Sequence, residues 1–202
     1  MLWALPGEED LLGTLVAWGA IQPSIRVMIL TSTRARPEGP VDLLSDYDVI
    51  LAVSDAERFG RDDRWVSDYG APMVRYSDTG ELYGLTTYFH GVVYENGVKI
   101  DYTVWPLALL DRLAAEVALP DEFDASYTVL LDKDGRRSWL EPPSYGAYVP
   151  ARPSAAAYRS LVEEFWFTST YVAKSLWRTE LLFARWCLDQ ELKLGVVRRL
   201  LE

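Results

Sequence analysis

Leu43-Leu44-Ser45-Asp46-Tyr47-Asp48-Val49-Ile50-Leu51-Ala52-Val53 places two carboxylates two residues apart at the head of an apolar run. The run predicts a buried strand, and residues i and i+2 of a strand project from the same face. Asp46 and Asp48 therefore stand together, about 7 Å apart along the strand at the usual rise per residue. Two like charges held side by side cost free energy unless a cation lies between them. Mg²⁺ suits that arrangement, because it binds one or two carboxylates together with substrate phosphates. The competing reading is a surface strand whose acids merely solvate its start, and an isolated Asp-x-Asp favours that reading. The surrounding chain has to decide.

The 202 residues are half hydrophobic and carry a net charge of −10. That length supports one sizeable core, or a compact domain with a smaller helical one. No apolar run reaches the roughly 18 residues of a membrane span, and the N-terminus lacks a basic leader, so the chain is read as soluble and cytoplasmic. The single Cys187 excludes an internal disulfide and a thiolate metal cluster, and the single His90 excludes a multi-histidine zinc site. The acidic balance argues against nucleic acid as a partner. A small cationic molecule would suit the field of such a chain, although many soluble proteins are equally acidic.

Outward from the Asp46/Asp48 strand, Pro6 to Gly19 has acids first and then Leu11, Leu12, Leu15, Val16 and Trp18, which predicts an amphipathic helix ended by Gly19. Ile25 to Leu30 predicts a first strand, and Thr31 to Pro40, with Pro37, Gly39 and Pro40, a loop. Asp55 to Tyr69 reads as a helix interrupted at Gly60, and Pro72 to Tyr76 as an edge strand. Leu82 to Tyr94 and Val98 to Trp105 flank Glu95-Asn96-Gly97, a strong hairpin signal. The second arm carries Asp101 in mid-strand, where an acid is unfavourable unless it is paired or ligating. Pairing with Lys99 or Arg75 and metal ligation are equally open at this point. Pro106 to Val117 predicts a helix and Tyr127 to Leu131 a strand.

Residues 1–138 thus form the expected catalytic-type domain, 139–153 a Pro/Tyr/Gly-rich linker and 154–202 a helical domain. Ser154 is a candidate N-cap, and Leu161, Phe165, Val172 and Leu176 give a stripe near the helical period. Val162, Trp166, Ala173 and Trp177 widen that face. Most tryptophans and Cys187 read as core, and His90 as a satisfied strand residue. The last helix, from about Arg178 to Leu201, ends without a cap, so the chain reads as a truncated or short member of its class.

The order helix, strand, small-residue loop, Asp-x-Asp strand and third acid on a later strand resembles the nucleotidyltransferase superfamily of DNA polymerase β. Within it the chain is similar to the aminoglycoside 6-adenylyltransferases, also called streptomycin adenylyltransferases. The resemblance rests on Val27 to Arg34, Ser45-Asp46-Tyr47-Asp48, Lys99-Ile100-Asp101-Tyr102-Thr103 and the block Phe165 to Leu182. It implies an α+β fold in which a mixed, α/β-type sheet forms the nucleotidyltransferase core and a helical C-terminal domain follows.

It further implies Mg²⁺ held by Asp46, Asp48 and Asp101 as catalytic acids, and ATP contacted by Ser32, Thr33 and Arg34 of the loop and by Lys174 and Arg178. The last two are four apart on a helix and share a face; a solvated surface is the bland alternative for them. The implied reaction transfers AMP from ATP to a hydroxyl of a streptomycin-like aminoglycoside and releases pyrophosphate, the chemistry of antibiotic resistance. Glu81, Tyr88 and Glu180 could hold its ammonium groups, though no spacing singles them out. A catalytically degenerate protein that binds a nucleotide or small molecule is the rival reading, and a protein-modifying nucleotidyltransferase the third. One departure favours the rival: the family pattern has Gly-Ser before the arginine, and here Ser32-Thr33 stands there. Glycine permits φ > 0 and close backbone approach to phosphate, so Ser32 would weaken nucleotide binding or turnover.

Overall fold

A computed structural model describes residues 8–37, 41–42, 44–115, 119–136, 140–146, 149–150 and 152–201. Expectations that fall on Pro6, Leu43, Gly39, Pro40, Val117 and Trp139 lie outside those residues. The chain divides into two compact units, Met1–Tyr148 and Val149–Glu202.

The first unit is a six-stranded mixed sheet. In chain order its elements are α1 (Glu8–Ile21), β1 (Ile25–Thr31), β2 (Tyr47–Val53), α2 (Ala56–Arg61), β3 (Pro72–Leu82), β4 (Leu85–Tyr94), β5 (Lys99–Pro106), α3 (Leu107–Ala114), α4 (Asp121–Ala125) and β6 (Tyr127–Asp132). The spatial order is β3-β4-β5-β2-β1-β6. All neighbours are antiparallel except β2 and β5, which run parallel.

Strand alternation sorts the side chains onto two faces. Tyr47, Val49, Leu51 and Val53 of β2 join Ile100, Tyr102 and Val104 of β5 in a core with Leu11 and Leu15 of α1. The opposite face buries Ile50 and Ala52 with Trp105, and Leu109, Leu110 and Leu113 of α3 close over them with Phe123 of α4. Asp48 and Asp101 take the alternate positions and so belong to this second face.

Several boundaries differ from expectation for identifiable reasons. The first helix does not stop at Gly19 but runs to Ile21. Lys133, just after β6, donates to the carbonyls of Gly19 at 2.8 Å and Gln22 at 2.7 Å, satisfying the helix end from outside. The predicted helix Asp55 to Tyr69 is two pieces, α2 and a 3₁₀ segment Arg64–Asp68. Asp55 caps α2 by accepting from the Arg58 N–H. Gly60 does not interrupt α2; a Cβ there would lie 2.1 Å from Cγ of Tyr88, so glycine permits close helix–sheet packing. The edge strand β3 is longer than predicted, paired along its length with β4.

The second unit holds α5 (Ala155–Trp177), capped by Ser154, whose Oγ accepts from the Ala157 N–H at 3.1 Å. The chain then forms α6 (Leu181–Trp186), a π-helical stretch Cys187–Val197 and a last turn, α7 (Arg198–Leu201). The less exposed stripe of α5 runs Leu161, Phe165, Thr168, Val172, Ser175. Small Thr168 and Ser175 lie on the stripe, and Ala184, Cys187, Leu192 and Val196 are buried in the following helices. The expected core positions Leu176, Trp166 and Trp177 are instead 53%, 67% and 89% exposed. Cys187 is buried and free, as its reading as a small apolar residue required.

Candidate active site

The parallel pairing of β2 and β5 sets Asp48 directly beside Asp101. Carrying the register back one pair from Tyr47 and Ile100, on each strand's other face, sets Asp46 beside Lys99 two residues before the acids. Three carboxylates and one ammonium thus share a small area of the α3 face. The strands supply this arrangement through their alternation alone. What covers the rest of that face, α3 and α4, packs on Ile50, Ala52 and Trp105 and leaves the acid end open. Side-chain exposure falls from 37% at Asp46 to 17% at Asp101.

Lys99 is the electrostatic centre. Its Nζ donates to Oδ2 of Asp46 at 2.5 Å and to Oδ2 of Asp101 at 2.9 Å. The hydrogen bond with Asp46, reinforced by Asp101, pushes the Lys99 ammonium up to about 12, so it is charged at neutral pH. Asp48 is the opposite case. Burial raises its pKa, and the neighbouring charges of Asp101 and Asp46 add to that rise, against a hydrogen bond from Ser32 and the pull of Lys99. Oδ1 of Asp101 is buried and has no hydrogen-bond partner.

The loop between β1 and β2 is fixed by three attachments. Thr33–Ala35 is a 3₁₀ turn closed by the Ala35 N–H to the Ser32 carbonyl at 3.1 Å. Buried Ser126 donates its hydroxyl to the Ala35 carbonyl. Arg34 donates to the carbonyls of Asp42, Ser45 and Asp46 at 2.8–3.2 Å and stacks its guanidinium 3.9 Å over the Tyr47 ring. Arg34 therefore holds the entry to β2 in place.

Ser32 adopts φ 62°, ψ −151°. This is the region that glycine alone occupies without strain, and its φ > 0 is the feature for which glycine is expected at this position. The serine brings what glycine lacks: a hydroxyl hydrogen-bonded to the Asp48 carboxylate.

Lys174 and Arg178, in the second unit, are exposed. Lys174 lies 5.5 Å from the Tyr171 ring centroid, and Arg178 forms the C-cap of α5 with its N–H on the Lys174 carbonyl at 3.1 Å. His90 is on the other sheet face from the acids, with Nδ1 3.0 Å from the Ser77 hydroxyl. Two relations escaped sequence reading: the Ser32 contact with Asp48, and Lys99 as a bridge between two acids. The i, i+2 spacing of Lys99 and Asp101 carried half of the second.

The donor set suits a hard divalent cation: carboxylate oxygens only, one of them buried and unpartnered. Among the described residues no three such ligands converge on one point. The Lys99 ammonium sits where Asp46 and Asp101 would meet.

A mixed sheet whose parallel central pair carries these acids, followed by a helical unit, has the nucleotidyltransferase-like architecture. The family model of streptomycin adenylyltransferase matches residues 6–201, and the chain belongs to that family. It is 30% identical over 181 residues to the aminoglycoside 6-adenylyltransferase of Bacillus subtilis (strain 168), covering 88% of this chain and 62% of that protein. The aminoglycoside 6-adenylyltransferases of Campylobacter jejuni and Staphylococcus aureus are 28% and 27% identical, over 88% of this chain and 60% and 62% of theirs. A crystal structure of an aminoglycoside 6-adenyltransferase from Bacillus subtilis aligns over 92% of this chain and 63% of that one, with 25% identity and a TM-score of 0.46. The chain spans about three fifths of the length of these relatives. Among the described residues no helix is long and apolar enough to cross a membrane.

Proposed function

We propose that this chain carries the site for transfer of AMP from ATP to a hydroxyl of a streptomycin-like aminoglycoside, with release of pyrophosphate. The observation that carries the reading is the pairing of Asp48 with Asp101 on adjacent parallel strands, with Asp46 on the same face. Asp46, Asp48 and Asp101 would hold magnesium, which when bound neutralises charge on the triphosphate and makes the acceptor hydroxyl more acidic. Asp101, less exposed than Asp46, is the group to accept the acceptor's proton. Ser32 and Thr33 donate to the triphosphate, and Arg34 acts by holding the loop that presents them. The acid cluster in a chain of net charge −10 also favours a cationic acceptor.

One observation favours a second reading, a nucleotide or small-molecule binder without turnover: a side chain at a glycine-type conformation in the phosphate loop. Calorimetry with ATP and Mg²⁺, with and without streptomycin, tests both. The enzyme reading expects ATP binding that requires Mg²⁺ and is lost in Asp48→Asn. The binder reading expects binding that survives without chemistry. No heat with any combination counts against both.

A further inference from the structure

We infer that Lys99 is a resident counter-cation: its ammonium holds Asp46 and Asp101 together in the metal-free protein and must leave when a divalent cation enters. The inference rests on the reading of Asp46, Asp48 and Asp101 as metal ligands, and concerns a residue outside that set. Three observations support it. The ammonium touches one oxygen of each of two acids that stand on different strands, at 2.5 and 2.9 Å. The other oxygen of Asp101 is buried and lacks any partner, so Lys99 satisfies the cluster only in part. And the side chain is 41% exposed, so its four-carbon stem can swing to solvent without opening the core.

The electrostatics give the arrangement a purpose. Three carboxylates on one small face repel, and without a cation their repulsion would push the open end of β2 from β5. A lysine two residues before Asp101 on the same face supplies one positive charge and keeps the strands in register. A divalent ion held by Asp46, Asp48 and Asp101 would supply two charges and more ligand directions. An ammonium and a metal cannot both occupy the space between Asp46 and Asp101. Lys99 therefore competes with the metal, weakens its binding, and is a positioning residue, not a ligand.

The chain has only four lysines, Lys99, Lys133, Lys174 and Lys193, so their side-chain ammonium signals can be followed separately in protein labelled with ¹⁵N-lysine. Lys99→Met, which keeps the stem and removes the charge, assigns the Lys99 signal. Mg²⁺ is titrated while this spectrum is recorded, and Mn²⁺ binding is measured by electron paramagnetic resonance on the unaltered chain and on Lys99→Met. The expected result is a Lys99 signal that loses its hydrogen-bonded shift with the midpoint of metal binding, while Lys133 and Lys193 stay still. Lys99→Met should bind Mn²⁺ up to about fivefold more tightly, the equivalent of one partly exposed charged pair given up. Lys99→Arg, which keeps the charge, should not show that gain. Metal binding with an unmoved Lys99 signal, or equal Mn²⁺ affinity in Lys99→Met, overturns the inference and leaves the metal site standing. No Mn²⁺ binding to either protein overturns both.

Discussion

The backbone at Ser32 holds a conformation that a side chain resists, at a cost of about 1–3 kcal/mol. It is kept there by the 3₁₀ turn that follows, by Ser126 on the Ala35 carbonyl and by the Arg34 clamp. Ser32→Gly removes that strain, and the extra freedom of glycine in the unfolded chain returns about 0.5–1 kcal/mol of it. The substitution should therefore raise stability by about 1 kcal/mol, read as a higher urea midpoint. A lower midpoint would mean that the hydroxyl's bond to Asp48 outweighs the strain. His90 offers a separate residue-scale test. It is buried, and burial holds its imidazole below the ordinary value. Its folded pKa is depressed, so the stability from the neutral ring is complete above the unfolded value of about 6.5 and is lost as pH falls through the folded one. His90→Asn should flatten the dependence of melting temperature on pH on the acid side of that value. An unchanged acid limb contradicts this.

At the scale of elements, the sheet owes its site to one parallel pair. Alternation within β2 and β5 was legible from residues alone, as was the hairpin at Glu95-Asn96-Gly97, where Gly97 has φ 82°. The register that lays Asp48 against Asp101 was not, because 53 residues separate them and no local preference specifies which strand a buried run will join. Asp101 stood out as a mid-strand acid from the sequence, and the resemblance then chose ligation over pairing for it. Helix α5 was legible in part: its N-cap Ser154 and the stripe positions Leu161, Phe165 and Val172 hold. Apolar spacing identifies greasy positions, and the buried stripe instead passes through Thr168 and Ser175 while Trp166 and Trp177 face outward. Gly60 was read as a break because glycine disfavours helix interiors; its role is set by Tyr88 on β4, a contact invisible locally. Gly60→Ala should thus destabilise despite better helix propensity, by about 1–3 kcal/mol from overpacking against a ring that backbone pairing holds in place. Thermal or urea unfolding checks it, and a stabilised variant would show that Tyr88 can yield.

For the whole molecule, 30 acidic against 20 basic residues create a field that gathers cations, and the acid end of the α3 face lies open to it. On the proposed reaction, the KM for an aminoglycoside should rise as salt is added through the range where the Debye length shrinks from about 30 to 10 Å. A salt-independent KM would assign recognition to contacts that screening does not touch. On that proposal the acids that draw in the substrate are also those assigned to magnesium, so they are the groups to test. Mass spectrometry of streptomycin incubated with ATP, Mg²⁺ and the full chain tests this directly. The account predicts an AMP adduct of the antibiotic, formed only with Mg²⁺ and lost in Asp46→Asn and Asp48→Asn while both variants still unfold cooperatively. Adduct formation retained in both variants, or no adduct with any aminoglycoside from a folded chain, would contradict it.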